Sequence, residues 1–76
     1  MKLEILGSGC PKCLKLEALV REVVAKHKLD AEVFHVSDIN KIVGYGVMMT
    51  PALVVNGKVK ITGRLPSESE LLKLLK

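Results

Sequence analysis

The stretch Gly7-Ser8-Gly9-Cys10-Pro11-Lys12-Cys13 decides the fold of this chain, because it links a short apolar segment to a helical one. It contains both cysteines of the sequence, at a Cys-x-x-Cys spacing. Pro11 fits the first turn of a helix, where a missing N–H costs no hydrogen bond. Two thiols at the start of a helix predict a dithiol that can open and close as a disulfide.

The segments around this stretch predict alternating strands and helices. Residues 2–6 predict an apolar strand, and apolar side chains then recur at helical spacing from Cys13 to about Lys28. A second strand is predicted over residues 31–36, where β-branched and aromatic residues are frequent. Ser37 or Asp38 can then cap a short second helix.

The second half of the sequence predicts a hairpin followed by a helix. Residues 52–55 and 58–62 predict two strands, and Asn56-Gly57 between them is a strong hairpin signal. Ser67 and Glu70 form a capping box ahead of a leucine-rich segment. The order is therefore β-α-β-α-β-β-α, which predicts an α/β fold with a four-stranded mixed sheet and helices on both faces. Residues 1–76 are expected to form a single domain.

The composition excludes several classes of protein. Of the 76 residues, 49% are hydrophobic, yet no run reaches the roughly 18 apolar residues of a membrane span. The N-terminal segment does not resemble a secretory signal, so we expect the protein in the cytosol. The net charge is +4, but the lysines are spread along the chain and aromatic residues are scarce. We therefore expect neither a nucleic-acid partner nor a membrane.

Three features, in this order, resemble the thioredoxin/glutaredoxin superfamily over the whole chain. They are the stretch from Gly7 to Cys13, Met49-Thr50-Pro51 ahead of the hairpin, and Gly63 before the last helix. The chain looks most similar to the small thioredoxin-like redox-disulfide proteins of archaea and bacteria. This resemblance implies a minimal thioredoxin-like fold in which Pro51 is cis and lies against the disulfide. It also implies that Thr50 and Pro51, with Met49, bind the substrate.

The sequence departs from the superfamily pattern at three places. Gly9 precedes the first cysteine, where thioredoxins typically carry tryptophan. Lys12 stands between the cysteines, where glutaredoxins usually have tyrosine. Gly63-Arg64 lacks the clamp with which glutaredoxins hold glutathione, and this difference argues against a dependence on glutathione.

The two cysteines have different expected roles in exchange. Cys10 lies at the helix N-terminus, where the dipole favours a thiolate, and Lys12 adds positive charge. Cys10 is therefore the expected nucleophile. Cys13 lies one turn further along, on the side of the helix that faces the core, and is expected to resolve the mixed disulfide.

Glu4 is a further candidate for the mechanism. It lies six residues before Cys10, the spacing at which thioredoxins carry a buried aspartate that relays a proton for the second cysteine. A carboxylate on a central strand is costly unless it is paired or useful. The alternative is that Glu4 reaches solvent or pairs with a lysine such as Lys2 or Lys60.

The sequence favours a thiol–disulfide oxidoreductase that acts as a monomer on protein disulfides. An unidentified reductase or other electron donor is expected to re-reduce it. We expect no bound cofactor and no metal, only the redox-active Cys10–Cys13 disulfide. Two alternatives stay open: a thioredoxin-fold module that binds or delivers without turnover, and a Cu(I)-binding Cys-x-x-Cys chaperone, whose element order is β-α-β-β-α-β. His27 and His35 are expected to be packing or surface residues.

Overall fold

Seven elements follow one another in the computed structural model, which describes residues 1–7, 9 and 11–75. The predicted order β-α-β-α-β-β-α is confirmed. The elements are β1 (Lys2–Leu6), α1 (Pro11–Lys26), β2 (Glu32–Val36), α2 (Ile39–Gly44), β3 (Ala52–Val55), β4 (Lys58–Thr62) and α3 (Glu68–Leu75).

The four strands form one mixed sheet in the order β2-β1-β3-β4, as predicted. β1 runs parallel to β2 and antiparallel to β3, and β3 pairs with β4 as a hairpin. The hairpin turns at Asn56 and Gly57, whose φ angles of 50° and 83° suit the right-handed twist of the strands. β1 therefore lies inside the sheet, with a hydrogen-bonded neighbour on each side.

Helices cover both faces of the sheet, and each face has its own apolar cluster. α1 and α3 pack on one face and α2 packs on the other. The larger cluster, between the sheet and α1 and α3, contains Leu3, Ile5, Leu16, Val20, Val23, Leu53, Val55, Ile61, Leu71 and Leu75. The smaller cluster, under α2, contains Leu6, Ile42, Val47, Ala52 and Val54. These two clusters confirm the predicted α/β layering.

α1 ends two residues earlier than its apolar spacing indicates. Lys28 has a left-handed φ of 51°, and its N–H donates to Ala25 O at 3.3 Å. The N–H of Leu29 donates to Val24 O at 3.0 Å. This pair of bonds is the Schellman arrangement, which satisfies the last carbonyls of a helix. α1 therefore closes at Lys26, and β2 begins at Glu32 instead of Ala31.

The capping box predicted for α3 is only half formed. Ser67 Oγ accepts from the N–H of Glu70 at 3.2 Å, as a helix cap should. The Glu70 carboxylate does not complete the box, because it accepts two bonds from Arg64, one of them at 2.9 Å. The hydrogen bonds from this guanidinium hold the pKa of Glu70 below its ordinary value of 4.5. At the N-terminus of α2, the Asp38 side chain accepts from the N–H of Asn40 at 2.9 Å and caps the helix.

Candidate redox site

The sheet register brings the two motifs of the sequence together. Leu6, the last residue of β1, pairs with Ala52, the first residue of β3. Because these strands are antiparallel, the chain that follows β1 meets the chain that precedes β3. Gly7 therefore lies beside Thr50 and Pro51, at one end of the sheet where α1 also begins.

Cys13 lies in the first turn of α1 and is fully buried. Its sulfur occupies the space that a Cβ atom on Gly7 would need, and its own Cβ would lie 3.0 Å from that atom. Glycine is therefore required at position 7 by close packing against Cys13. Cys10 and Ser8 lie outside the described residues, so the roles of Cys10 and of a Cys10–Cys13 disulfide stay predictions. Lys12 is exposed on α1.

The Thr50–Pro51 peptide bond is cis, Pro51 is fully buried, and Thr50 is exposed. Pro51 O accepts from the N–H of Gly63 at 2.8 Å. Gly63 has a φ of 70°, and a Cβ on it would lie 3.1 Å from Met49 Cε. Met49 therefore packs over a glycine that both the backbone angle and the space require. The three features that carry the superfamily resemblance thus meet at this end of the molecule.

An apolar rim extends from Thr50 towards α2. Met48 is 92% exposed, and Met49, Ile39 and Val43 are also largely exposed. A groove of about 310 Å³ lies between them, lined by Ser37, Ile39, Ile42, Val43, Val47, Met48 and Thr50. Single exposed apolar residues are ordinary, but a contiguous apolar surface is typical of a contact site.

Glu4 is buried, with 6% of its surface exposed, and its carboxylate has two partners. Lys2 Nζ lies 3.3 Å from one oxygen, so the expected alternative of a lysine pair is present. The Tyr45 hydroxyl donates to the other oxygen at 2.9 Å. Tyr45 follows α2, whereas Cys13 belongs to α1 on the opposite face of the sheet. The predicted proton relay through Glu4 stays a prediction.

The hydroxyl of Tyr45 is held in its neutral form by Glu4. Its hydrogen bond to the carboxylate, its partial burial and the negative charge all raise the pKa of Tyr45 above its ordinary value of 10.0. A raised acid pKa means that this interaction stabilises the folded state below about pH 10. The stabilisation is lost as the pH rises through the raised pKa of the folded protein.

We expect a Glu4→Gln variant to lower the pKa of Tyr45 towards its ordinary value. Tyr45 is the single tyrosine and the sequence has no tryptophan, so the ultraviolet absorbance of tyrosinate reports it alone. An unchanged titration would contradict the bond to Glu4.

The Glu4→Gln variant also tests the proton relay. If Glu4 transfers a proton, the pH–rate profile of the variant should lose an inflection. An unchanged profile would limit the role of Glu4 to its contacts with Lys2 and Tyr45.

His35 reaches the site although the sequence assigned it no role. Its imidazole Nε2 lies 3.0 Å from Gly7 O, and its Nδ1 lies 3.0 Å from Glu17 Oε1 on α1. No local sequence signal indicates this contact, because it follows from the parallel register of β1 and β2, which pairs His35 with Ile5 and directs both side chains to the α1 face.

The described residues also bear on a metal site, a membrane span and the copper-chaperone alternative. Within residues 1–7, 9 and 11–75, no three His, Cys, Asp or Glu side chains are grouped as metal ligands would be. No helix in this part of the chain is long and apolar enough to cross a membrane. The order of elements also differs from the β-α-β-β-α-β order of a copper chaperone.

Comparisons with known proteins find similarity to thioredoxins along the whole chain. A family model described as "Thioredoxin domain" matches residues 1–76. A thioredoxin of Methanothermobacter thermautotrophicus is 39% identical over 75 residues, covering 99% of this chain and 97% of that protein. Two thioredoxins of Methanocaldococcus jannaschii are 34% and 30% identical, covering 97% and 100% of this chain and 85% and 93% of their own lengths. The chain therefore belongs to the thioredoxin family, whose general chemistry is thiol–disulfide exchange.

Proposed function

We propose that this chain reduces protein disulfides through a Cys10-Pro11-Lys12-Cys13 dithiol. The observation that supports this most directly is the position of Cys13. Its fully buried sulfur packs against Gly7, beside the exposed Thr50 and the buried cis Pro51. A buried resolving thiol next to an exposed docking edge is what exchange with a folded protein requires.

Exchange proceeds in two nucleophilic displacements, each of which forms one S–S bond and breaks another. The Cys10 thiolate attacks a sulfur of the target disulfide, forming a mixed disulfide and releasing one target thiolate. The Cys13 thiolate then attacks the Cys10 sulfur, forming the Cys10–Cys13 disulfide and releasing the second target thiolate. Both target thiolates take up protons. Two electrons pass from the dithiol to the target, so a reductase or other donor must return two electrons for the next cycle.

The start of α1 favours ionisation of Cys10. A thiol with a pKa near 8.5 is only about 3% thiolate at pH 7, and a pKa near 7 makes that fraction about half. Cys10 directly precedes α1, a helix of 16 residues whose first turn contains no acidic residue. The free N–H groups at this end and the exposed Lys12 both favour a negative charge.

Thr50 and Pro51 provide the docking edge in this proposal, and Met49 adds apolar contact. A target segment can add as a short strand to the backbone at Thr50, which gives affinity with little side-chain specificity. Exposed thioethers such as Met48 and Met49 adapt to different neighbours. This arrangement suits a monomer that accepts many protein disulfides. In the cytosol, reducing conditions would keep the dithiol supplied with electrons.

Reduction of insulin disulfides, with a chemical dithiol as the electron donor, tests this proposal. The wild-type chain is expected to accelerate the reduction, and a Cys10→Ser variant is expected to fall to the rate of the chemical dithiol alone. A wild-type rate equal to that background would contradict the proposal and favour a module that binds without turnover. A Cu(I) titration run in parallel distinguishes that result from a copper-binding role.

A further inference from the structure

His35 on β2 contacts two separate segments of the chain at once. Its Nε2 lies 3.0 Å from the carbonyl oxygen of Gly7, and its Nδ1 lies 3.0 Å from Glu17 Oε1. The side chain is 30% exposed and that of Glu17 is 21% exposed, so both are partly shielded from water. A charged contact in such a place is screened less than one at the open surface.

The ring makes a hydrogen bond with Gly7 O and an ion-pair contact with Glu17, and neither partner offers a proton. A carbonyl oxygen and an ionised carboxylate offer lone pairs only, whereas a neutral imidazole has one N–H and one lone pair. The second carboxylate oxygen, Glu17 Oε2, accepts from Arg21 Nε at 3.1 Å. The two contacts of His35 are therefore both satisfied only when the imidazole carries two protons.

The two segments that His35 joins lie on either side of Cys13. Gly7 packs against the Cys13 sulfur, and Glu17 lies one helical turn beyond Cys13 on α1. The N–H of Gly7 also donates to Val36 O at 3.0 Å. Two successive residues of β2 therefore contact Gly7: Val36 through its backbone carbonyl and His35 through its imidazole.

We propose that doubly protonated His35 is a positioning residue for the redox site, because it fixes Gly7 to α1 around Cys13. This inference rests on the proposed function of the Cys10–Cys13 dithiol. The role of His35 in this proposal is exerted through Gly7 and Glu17. It sets the geometry of the chain that leads from β1 to the first cysteine. The correct spacing of thiol and target strongly affects the rate of exchange, since small misplacements of reacting groups are costly.

The charged group in direct contact with the imidazole comes from α1. α1 contributes Glu17 directly and Arg21 through Glu17. β1 contributes the uncharged Ile5 as the paired neighbour. On β2, His35 also lines a groove whose other titratable residues are Lys2, Glu4, Lys41 and Tyr45. Thiol–disulfide exchange itself depends on pH, so the test compares the variants with the wild type at each pH.

A nitrogen-15 NMR titration of the histidine rings of the wild-type protein tests the bridge itself. We expect both His35 nitrogens to carry protons in the acidic part of the titration, one facing Gly7 O and the other facing Glu17 Oε1. The chemical shift of the Gly7 carbonyl carbon should change in the same titration, because His35 Nε2 contacts its oxygen. A His35 ring with a single proton throughout this range would overturn the proposal without reference to any variant.

The kinetic test compares the wild type with His35→Gln in insulin reduction across the same pH range. Glutamine keeps one donor, as neutral imidazole does, so the two proteins should differ by about tenfold in kcat/KM at the acid end, the effect of one charge-assisted bond. They should converge at the alkaline end. A ratio that stays constant with pH would overturn the positioning role, because a purely structural defect does not follow imidazole titration.

His27→Gln is the matched control, because His27 follows the far end of α1, about 24 Å from its start. Its nearest charged partner is Glu68, at 3.9 Å. The kcat/KM of this control should equal that of the wild type at every pH. If the wild type reduces no disulfide at any pH, the proposed function fails. If the wild type is active and His35→Gln equals it throughout, only the role of His35 fails.

Discussion

A Cys13→Ser variant is expected to stop after one chemical step and to keep its target attached. Cys10 can still attack a disulfide, but no second thiol releases it from the mixed disulfide. The product should be a covalent adduct of one target chain per protein chain. Non-reducing electrophoresis and mass spectrometry of the mixture measure this adduct, and addition of a chemical dithiol should release both partners. Multiple-turnover reduction of insulin should be lost.

Cys10→Ser is the matched control for this experiment. If Cys10 is the nucleophile, its removal should abolish both turnover and adduct formation, although Cys13 is still present. Cys13 is fully buried, so it cannot easily replace Cys10 in the first attack. An adduct formed by Cys10→Ser and absent from Cys13→Ser would reverse the assigned roles. Normal turnover by Cys13→Ser would remove the resolving step from the mechanism.

Gly7→Ala is expected to damage the redox site more than an added methyl group normally damages a surface loop. The new Cβ collides with the Cys13 sulfur and lies 3.0 Å from Cys13 Cβ. Either the sulfur or the chain between β1 and α1 must move. Overpacking of this kind typically costs about 1–3 kcal/mol in the free energy of unfolding. We expect a loss in that range by chemical denaturation, with a lower rate of disulfide reduction in the folded variant.

Gly44→Ala is the matched control for the added methyl group. A Cβ on Gly44, the last residue of α2, would meet no atom within 4 Å. Its stability should therefore be unchanged or raised by up to about 1 kcal/mol, because alanine restricts the unfolded chain. Equal stability and equal activity of the two variants would show that the contact between Gly7 and Cys13 does not constrain the site.

The parts of the fold that local chemistry determines could be predicted from the sequence. Asn56-Gly57 tolerates the left-handed backbone of a tight hairpin, so the bounds of β3 and β4 follow from it. Asp38 caps α2 as an Asx residue should. The apolar residues of β1 likewise indicate a strand at residues 2–6. Each of these signals acts within a few residues of the structure that it determines.

Features that depend on distant partners could not be predicted in this way. Arg64 captures the Glu70 carboxylate that the capping box needed, although six residues separate them. The sequence left open whether Glu4 is buried or reaches solvent, and its partner Tyr45 lies 41 residues further along the chain, so the two meet only through the packing of α2. His35 likewise finds Gly7 because β1 and β2 are in register. Side chains that meet across elements follow from the tertiary fold.

Met48 and Met49 give the rim of the site a sensitivity of its own to oxidants. Both thioethers are largely exposed, at 92% and 64%, next to Thr50 and Pro51. Peroxide converts a thioether to a polar sulfoxide, which a dithiol in the same protein does not by itself reverse. An oxidative burst would therefore turn the apolar surface polar while leaving the backbone at Thr50 in place. Oxidation of these two side chains would therefore change which targets fit the rim without altering either cysteine.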